Sequence, residues 1–198
     1  MTESLFLIRS FQWRHVTVVE IKNDIRCIKL ILPNGKVVDV LSPVLGEICK
    51  WLQNETTKPE SGGYIVGYQH TSTGNISLEA VSHPYLMDIK NRVRFDIRDP
   101  RHQLFLRKAR RNKSYYMGVW HTHPQEVPVP SDIDWNDWNE TMRSDTTGCQ
   151  FVFFIIAGTK EWRVWAGALE NGIIHELMEC EKNTEGIYLK DETNEEFC

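Results

Sequence analysis

The chain has 198 residues, of which 41% are hydrophobic and 25% are charged, and its formal net charge is −4. This length suits one domain, or one domain with an extension, that folds without disulfides or a structural metal. The net charge argues against a general nucleic-acid binder, so nucleic acid is not an expected partner. The first residues lack the pattern of a secretion signal, and no stretch has the roughly 20 apolar residues of a membrane span. We therefore expect a cytoplasmic protein that does not bind membranes.

The first part of the chain predicts paired strands and one helix. Residues 1–40 have a strand-like pattern, and Pro33-Asn34-Gly35 between two apolar runs predicts a hairpin turn. Ser42 as N-cap, with Pro43 at the first helical position, predicts a helix that ends at the polar segment NETTKPE. The segments GGYIVGYQH and NISLEAVSH then predict two strands. We interpret residues 1–40 as a β-rich extension of a domain that spans residues 41–180.

The rest of the chain alternates helices and strands. Asp99-Pro100 predicts the start of a second helix, and SYYMGVWHTH predicts a strand rich in aromatic residues. Ser131 predicts the N-cap of a third helix, with Asp134 in its first turn. CQFVFFIIAG is continuously apolar, which predicts a fully buried strand, and two more strands follow it. Residues 181–198 are acidic and poor in apolar residues, so we expect a mobile tail. This order predicts an α+β (mixed α/β) fold with a central twisted sheet flanked by helices.

Two histidines on the aromatic strand are candidate metal ligands. Because side chains alternate along a strand, His121 and His123 face the same way, with α-carbons about 6.5 Å apart, and can share one ion. Asp134 is the best candidate for a third ligand, since the proline-rich loop PQEVPVP restricts how its helix follows the strand. The same residues also fit two partly exposed histidines beside an ordinary capping box. The ligand types favour zinc but also match a non-haem iron site, and their spacing does not separate the two metals.

A general base is the other group that metal-assisted hydrolysis needs. Glu60 is a candidate because it lies next to Ser61-Gly62-Gly63, where the glycines allow other backbone to approach closely. By composition alone, Glu60 equally fits an exposed glutamate that follows a proline.

These motifs together resemble the pattern of the JAMM (JAB/MPN+) metalloprotease family. The matching residues are Glu60 followed by GGYIVG, then His121-Thr122-His123-Pro124, then Ser131-x-x-Asp134 after seven intervening residues. The resemblance extends over about residues 40–170, and no position of the pattern is missing.

The resemblance implies a fold and a set of residue roles. The fold is the cytidine-deaminase-like JAB/MPN fold, with residues 41–180 as the catalytic domain. One zinc ion with a bound water would be held by His121, His123 and Asp134. Glu60 would act as general base and then as proton donor to the leaving amine, and Ser131 would donate a hydrogen bond to the tetrahedral oxyanion.

The tryptophan before the first histidine is similar to the prokaryotic JAB branch, including the stand-alone deconjugating peptidases of type II CBASS anti-phage operons. That similarity implies an isopeptidase that cleaves after the C-terminus of a protein with an extended tail. The substrate would be a cyclic-nucleotide synthase or a ubiquitin-like protein, joined to its target by an E1/E2-like enzyme. The alternatives are a JAB peptidase that processes a sulfur-carrier protein, and a catalytically silent scaffold that binds a ubiquitin-like partner.

Basic residues are concentrated between Lys90 and Lys113. This segment fits a solvated helix end, and it also fits a surface for an acidic protein or a nucleic acid. In the resembled family the corresponding segment lies beside the substrate tail. We therefore hypothesise that residues 85–98 bind the tail by strand addition, and that Arg92, Arg94 and Phe95 contact it.

Two further sets of residues have structural interpretations. Trp135 and Trp138 follow Asp134 and are predicted to pack the helix against the core, with a wall of the substrate site as the alternative. His83, His102 and His175 are isolated in the sequence and are interpreted as structural or surface residues.

Overall fold

The computed structural model of the protein describes residues 16–17 and 27–180, apart from residues 56, 146 and 148. Most of the strands predicted before residue 27, and the predicted tail at residues 181–198, lie outside the described residues. The strands are β1 (Val16–Thr17), β2 (Cys27–Ile31), β3 (Val37–Leu41), β4 (Gly62–Gln69), β5 (Ile76–Val81), β6 (Ile89–Asn91), β7 (Arg94–Asp96), β8 (Tyr115–Thr122), β9 (Phe151–Ala157), β10 (Glu161–Ala168) and β11 (Ile173–Leu177). The helices are α1 (Ser42–Cys49), α2 (Arg101–Arg111) and α3 (Asp132–Ser144).

One mixed sheet contains nine of these strands. Its order is β1-β10-β9-β8-β4-β5-β3-β2, and β11 also pairs with β10. The pairs β3–β5 and β8–β9 are parallel, and the other neighbours are antiparallel. Strands β6 and β7 form a separate two-stranded hairpin. This architecture confirms the predicted mixed α/β fold.

The helices cover both faces of the sheet. On one face, Val44, Leu45 and Ile48 of α1 join a buried cluster with residues of the strands such as Trp120. On the other face, the indole of Trp138 in α3 stacks on Phe154 at 4.6 Å between ring centroids. Helix α2 lies on this second face, and its His102 contacts the ring of Tyr64 in β4. A cleft is therefore left between α3 and the β6–β7 hairpin, at the end of the sheet where β8 terminates.

The predicted hairpin turn at residues 33–35 is confirmed. Strands β2 and β3 pair antiparallel, and the amide of Gly35 donates to the carbonyl of Leu32 at 2.9 Å. Gly35 has a φ of +74°, a conformation that glycine adopts without the steric penalty of a side chain. Strand β9 is buried at every position, as its continuous apolar run predicts. The predicted boundary between an N-terminal extension and the main domain at residue 40 stays a prediction. Strands β2 and β3, which lie before or across this boundary, pair within the main sheet.

The predicted N-cap of the first helix is wrong by one residue. Helix α1 includes Ser42 itself, its N-cap position is Leu41, and no side chain caps it. The physical reason is that β3 runs into α1 without a connecting loop, so the last strand residue occupies the cap position. The second helix begins at Arg101, after Asp99 and Pro100, and a carboxylate oxygen of Asp99 accepts from the amide of Arg101 at 3.0 Å.

Across the described residues, none of the helices is both long enough and apolar enough to pass through a lipid bilayer.

Candidate metal centre

His121, His123 and Asp134 form a compact cluster at the end of β8. The Nε2 atoms of the two histidines are 3.0 Å apart. The carboxylate of Asp134 lies 3.1 Å from Nε2 of His121 and 3.6 Å from Nε2 of His123. All three potential ligand atoms lie within 4.8 Å of one another. The structure thus brings together the three residues that the sequence proposes as ligands.

Neighbouring groups orient two of the three candidate ligands, His123 and Asp134. Nδ1 of His123 is 3.3 Å from Oε1 of Gln125, an acceptor that fixes the proton on Nδ1 and directs the lone pair of Nε2 into the cluster. Burial, reinforced by the charge of His121, lowers the pKa of His123, which keeps this ring neutral and able to bind a metal.

Asp134 is held by the start of its own helix. Its Oδ2 accepts from the backbone amide of Ser131 at 2.6 Å, and the hydroxyl of Ser131 accepts from the amide of Asp134 at 3.2 Å, which is a reciprocal capping box. Burial favours the neutral acid, but hydrogen bonding and charge from His121, together with the donors of Ser131, hold the pKa of Asp134 below its usual range. The carboxylate is therefore ionised, as a metal ligand must be.

The geometry of the cluster fits a zinc ion. Metal–ligand distances near 2.0 Å in a tetrahedral site place ligand atoms about 3.3 Å apart, which lies within the observed range of separations. Two imidazoles and one carboxylate are also a common donor set for a catalytic zinc, with the fourth position left to water or substrate. His121, His123 and Asp134 would hold the ion.

Glu60 lies beside this cluster in spite of its distance in sequence. Its carboxylate is 3.9 Å from Nε2 of His123, and the residue is only 6% exposed. Burial raises the pKa of Glu60 to about 7, with the charge of Asp134 adding to the rise and that of His121 opposing it. A carboxyl group with this pKa can accept and return a proton near neutral pH.

Thr122, between the two histidines, joins their strand to the segment that carries Glu60. Thr122 is fully buried on the opposite side of β8, and its hydroxyl accepts from the amide of Ser61 at 3.0 Å. The amide of Thr122 donates to the carbonyl of Ser61 at 2.9 Å. The hydroxyl of Thr122 in turn donates to Oε1 of Gln53 at 3.2 Å. Gln53 was not predicted from the sequence, because a glutamine after a short helix has no pattern that indicates this contact.

The cluster opens into a cleft of about 740 Å³. Ser131 lies on its lining, and its hydroxyl donates to Oδ2 of Asp134 at 2.7 Å. The β6–β7 hairpin forms the opposite wall through Arg94 and Phe95. Among the described residues, the lining does not include Arg92, which lies at the exposed turn of the hairpin.

Phe95 lies directly against the start of β4. A β-carbon placed on Gly62 would come within 2.6 Å of the ring of Phe95, so the glycine is needed for this close approach. The amide of Glu60 also donates to the carbonyl of Asn91 in β6 at 2.8 Å. The hairpin and the candidate base are therefore in direct contact.

The tryptophans of α3 have different environments. Trp138 is 2% exposed and packs between Phe154 and Trp165, which confirms the predicted core role for this residue. Trp135 is 38% exposed and contacts Trp138 at 5.1 Å between ring centroids.

The mixed sheet carries a candidate metal site, the His-His-Asp cluster, at the end of its inner strand β8 and beside the buried carboxyl group of Glu60. A family model described as prokaryotic homologues of the JAB domain matches residues 41–167. The chain belongs to this family.

Two curated relatives carry the name CD-NTase/cGAS isopeptidase. The protein of Vibrio cholerae serotype O1 is 28% identical over 141 residues, which cover 70% of this chain and 85% of the relative. The protein of Escherichia coli strain TW11681 is 26% identical over 133 residues, which cover 66% of this chain and 80% of the relative. A solution structure of a Desulfitobacterium hafniense protein aligns with a TM-score of 0.47 at 19% identity, over 69% of this chain and 87% of that protein.

Proposed function

We propose that the protein is a zinc-dependent isopeptidase that hydrolyses the bond after the C-terminus of a conjugated protein. The conjugated protein is a CD-NTase, the synthase of a cyclic-nucleotide signal, and the enzyme reverses its attachment by an E1/E2-like partner in CBASS anti-phage defence. The names of the two curated relatives support this substrate.

The observation that carries the proposal is the position of Glu60. A buried carboxyl group lies 3.9 Å from a candidate metal ligand, and the contact joins chain segments about sixty residues apart. A scaffold that only binds a partner has no need of a buried acid beside a ligand cluster. Burying that acid opposes its charged form, so its presence favours a catalytic role.

A zinc ion held by His121, His123 and Asp134 would polarise the scissile carbonyl and make a bound water more acidic. Glu60 takes a proton from the attacking water and then delivers a proton to the leaving amine nitrogen. The pKa of about 7 suits both steps, because neither protonation state is strongly favoured at neutral pH.

Ser131 stabilises the negative charge that develops on the substrate oxygen. Ser131 lies on the cleft lining, and rotation about its Cβ–Oγ bond can turn the hydroxyl hydrogen from Asp134 towards a bound substrate. A donor placed in advance at this position contributes most when the oxygen becomes an oxyanion.

The β6–β7 hairpin binds the extended tail of the substrate. Arg94 and Phe95 line the cleft next to the ligand cluster, and the β7 strand offers backbone donors and acceptors to an added strand. We include Arg92 as an outer contact at the turn of the hairpin. The tail would thus reach the metal with its C-terminal carbonyl beside Glu60.

The variant Glu60→Ala tests this function directly. The substrate is a fusion in which a reporter protein follows the C-terminus of a CD-NTase. We expect Glu60→Ala to retain one zinc per chain, measured by elemental analysis, and to lose cleavage by a factor of about 100 to 10,000, since it lacks the proton-transfer group.

Glu170→Ala, a change at an exposed glutamate in the β10–β11 turn, is the control and should cleave like the wild type. Normal cleavage by Glu60→Ala would falsify the mechanism. A wild-type protein that binds zinc but leaves the CD-NTase fusion intact would contradict the substrate assignment, and cleavage of a sulfur-carrier fusion instead would identify the other substrate class.

A further inference from the structure

A second group of polar side chains lies buried between α2, β4 and the base of the β6–β7 hairpin. His102 of α2 places Nε2 at 2.9 Å from Oδ2 of Asp88 and Nδ1 at 2.8 Å from the hydroxyl of Ser82. All three residues are buried, and His102 is fully inaccessible. Substrate cannot reach this Ser-His-Asp group, so it is not a second catalytic site. We refer to Asp88, His102 and Ser82 as the buried relay.

At one end of the buried relay, Asp88 closes the base of the β6–β7 hairpin. Its two oxygens accept from the backbone amides of Tyr85 at 2.6 Å, Arg98 at 2.9 Å and Asp99 at 3.0 Å. These amides lie on both sides of the hairpin in sequence. One carboxylate therefore holds together the two chain segments that enter and leave the hairpin.

At the other end, Ser82 joins the strands that carry the candidate site. Its hydroxyl accepts from the amide of Tyr64 in β4 at 2.8 Å, and its carbonyl accepts from the indole of Trp120 in β8 at 2.9 Å. A β-carbon on Gly63 would lie only 2.3 Å from that carbonyl oxygen, so Ser82 is packed tightly against β4. Trp120 directly precedes the candidate ligand His121, and Gly63 lies three residues after Glu60.

The hydrogen bonds of the buried relay form one consistent chain. Asp88 as a carboxylate only accepts, so Nε2 of His102 carries a proton and donates it. The hydroxyl of Ser82 accepts from the amide of Tyr64 and keeps its own hydrogen, which it can donate to Nδ1 of His102. Every polar atom of the relay then has a partner, which is the condition for a buried network to rigidify its surroundings.

We propose that Asp88, His102 and Ser82 are positioning residues that hold the β6–β7 hairpin in a fixed place relative to the metal-ligand cluster. The hairpin presents Arg94 and Phe95 to the cleft, while the far end of the relay is bonded to β4 and β8. The relay thus sets the width of the cleft at the point where an extended tail enters. The part of the inference that concerns substrate binding rests on the proposed isopeptidase function.

Two variants of His102 each remove a different hydrogen bond of the buried relay. His102→Gln can place an amide nitrogen near the position of Nε2 and keep the bond to Asp88, whereas His102→Asn can keep only the bond to Ser82. A continuous relay requires both links. If only the bond between His102 and Asp88 mattered for the hairpin, only His102→Asn would have an effect.

Hydrogen exchange followed by mass spectrometry is the first measurement, on zinc-loaded protein well below its unfolding temperature. We expect peptides covering residues 85–99 to exchange about tenfold faster in both His102 variants, with exchange in β8 and β9 unchanged. The second measurement is cleavage of the CD-NTase fusion, for which we expect KM to rise about tenfold and kcat to change less than about twofold. Bound zinc should stay at one ion per chain.

His70→Gln is a matched control, because His70 also bonds a serine, Ser77, at 3.0 Å but lies at the other end of β4. It should leave both measurements unchanged. Wild-type exchange over residues 85–99 in either folded His102 variant overturns the proposal, and so does a KM that changes no more than in the control. If the His102 variants do not fold, Ser82→Ala is judged by the same two results. Hydrogen exchange needs no substrate. If the wild-type protein cleaves no substrate, the proposed function is refuted, but the exchange result still tests whether the buried relay positions the hairpin.

Discussion

The two carboxylate oxygens of Asp134 make contacts with different groups. Oδ1 lies 3.1 Å from Nε2 of His121, while Oδ2 accepts from the amide and the hydroxyl of Ser131. The residue that would bind the metal is therefore also half of the capping box of α3. The start of the helix fixes the rotamer of the ligand before any ion binds.

Ser131 can be tested for its separate effects on catalysis and on stability. Ser131→Ala and Ser131→Gly both remove the hydroxyl, so each should reduce kcat by a factor of about 100 or more. Glycine is tolerated at an N-cap whereas alanine is not, so Ser131→Ala should lower the free energy of unfolding by about 1 kcal/mol and Ser131→Gly by only a few tenths. The measurements are steady-state cleavage and urea unfolding.

The two Ser131 variants should thus have the same activity and different stabilities. If the loss of activity is instead proportional to the loss of stability, so that Ser131→Gly is nearly as active as the wild type, the hydroxyl acts only as a helix cap.

At the level of single residues, sequence reasoning succeeded where the signal is local. The alternation of a strand places His121 and His123 on one side, and S-x-x-D places Asp134 at the third position of its helix. Glu60 is different, because its local sequence equally fits an exposed glutamate. Its burial depends on the hairpin and on β8, which only the tertiary structure brings to it.

At the level of elements, the pairing of β8 with β9 requires a glycine at position 118. Gly118 has a φ of +144°, and a β-carbon there would lie 1.8 Å from the carbonyl oxygen of Phe153 in the neighbouring strand β9. We expect Gly118→Ala to lower the free energy of unfolding by about 2 to 5 kcal/mol, through backbone strain and a steric clash with β9. Urea unfolding measures the change.

Gly46→Ala is the control for that substitution. Gly46 lies in α1, where an added β-carbon would meet nothing within 4 Å, so the variant should be more stable by up to about 1 kcal/mol. Equal stabilities for the two variants would contradict the role given to Gly118.

The β6–β7 hairpin is the element assigned to substrate binding. Charge reversal by Arg94→Glu should raise KM for the CD-NTase fusion with little change in kcat, because it repels or misplaces the tail without touching the reacting groups. Arg94 is also bonded to Asp96 at 2.8 Å, so the reversal breaks an ion pair within β7. Arg92→Glu, at the turn of the hairpin, should also raise KM, but by a smaller factor.

Lys36→Glu, an exposed charge reversal in the β2–β3 turn, is the matched control for the hairpin variants. A KM that is unchanged in Arg94→Glu relative to this control would exclude the hairpin as the binding element.

Elements with strong local patterns were predicted well, and their ends less well. The β2–β3 turn and the buried strand β9 follow the sequence directly. The N-cap of α1 was misplaced because a serine before a proline is a good local cap signal, whereas the direct passage from β3 into the helix is set by the sheet. The buried relay had no signal either, since Ser82, Asp88 and His102 are isolated in the sequence and meet only in the fold.

For the whole molecule, removal of the proposed zinc ion should leave the fold intact. The two buried apolar clusters, which join α1 and α3 to the sheet, do not include the three candidate ligands. A domain of this size has enough buried surface to fold without an ion. We expect a chelator to abolish cleavage, to leave the far-ultraviolet circular dichroism unchanged, and to be reversed by added zinc. Loss of secondary structure on chelation would show that the metal is structural.

The fold class was predictable from the order of helices and strands, but the arrangement of the sheet was not. Hairpins such as β2–β3 are local, whereas the parallel pairs β3–β5 and β8–β9 join segments separated by helices. Many strand orders fit the same pattern of elements, and the choice among them depends on tertiary packing.

The strand order also has a consequence for the time at which activity can appear during synthesis. The backbone amide of His123 donates to the carbonyl of Ala157, the last residue of β9, at 3.0 Å. A nascent chain that ends at residue 134 already contains all three candidate ligands and Glu60, but β8 still lacks its parallel neighbour. Since chains emerge from the ribosome N-terminus first, we expect the candidate site to be complete only after β9 has been made and has joined the sheet. The proposed activity would thus appear only when nearly all of the domain has been synthesised.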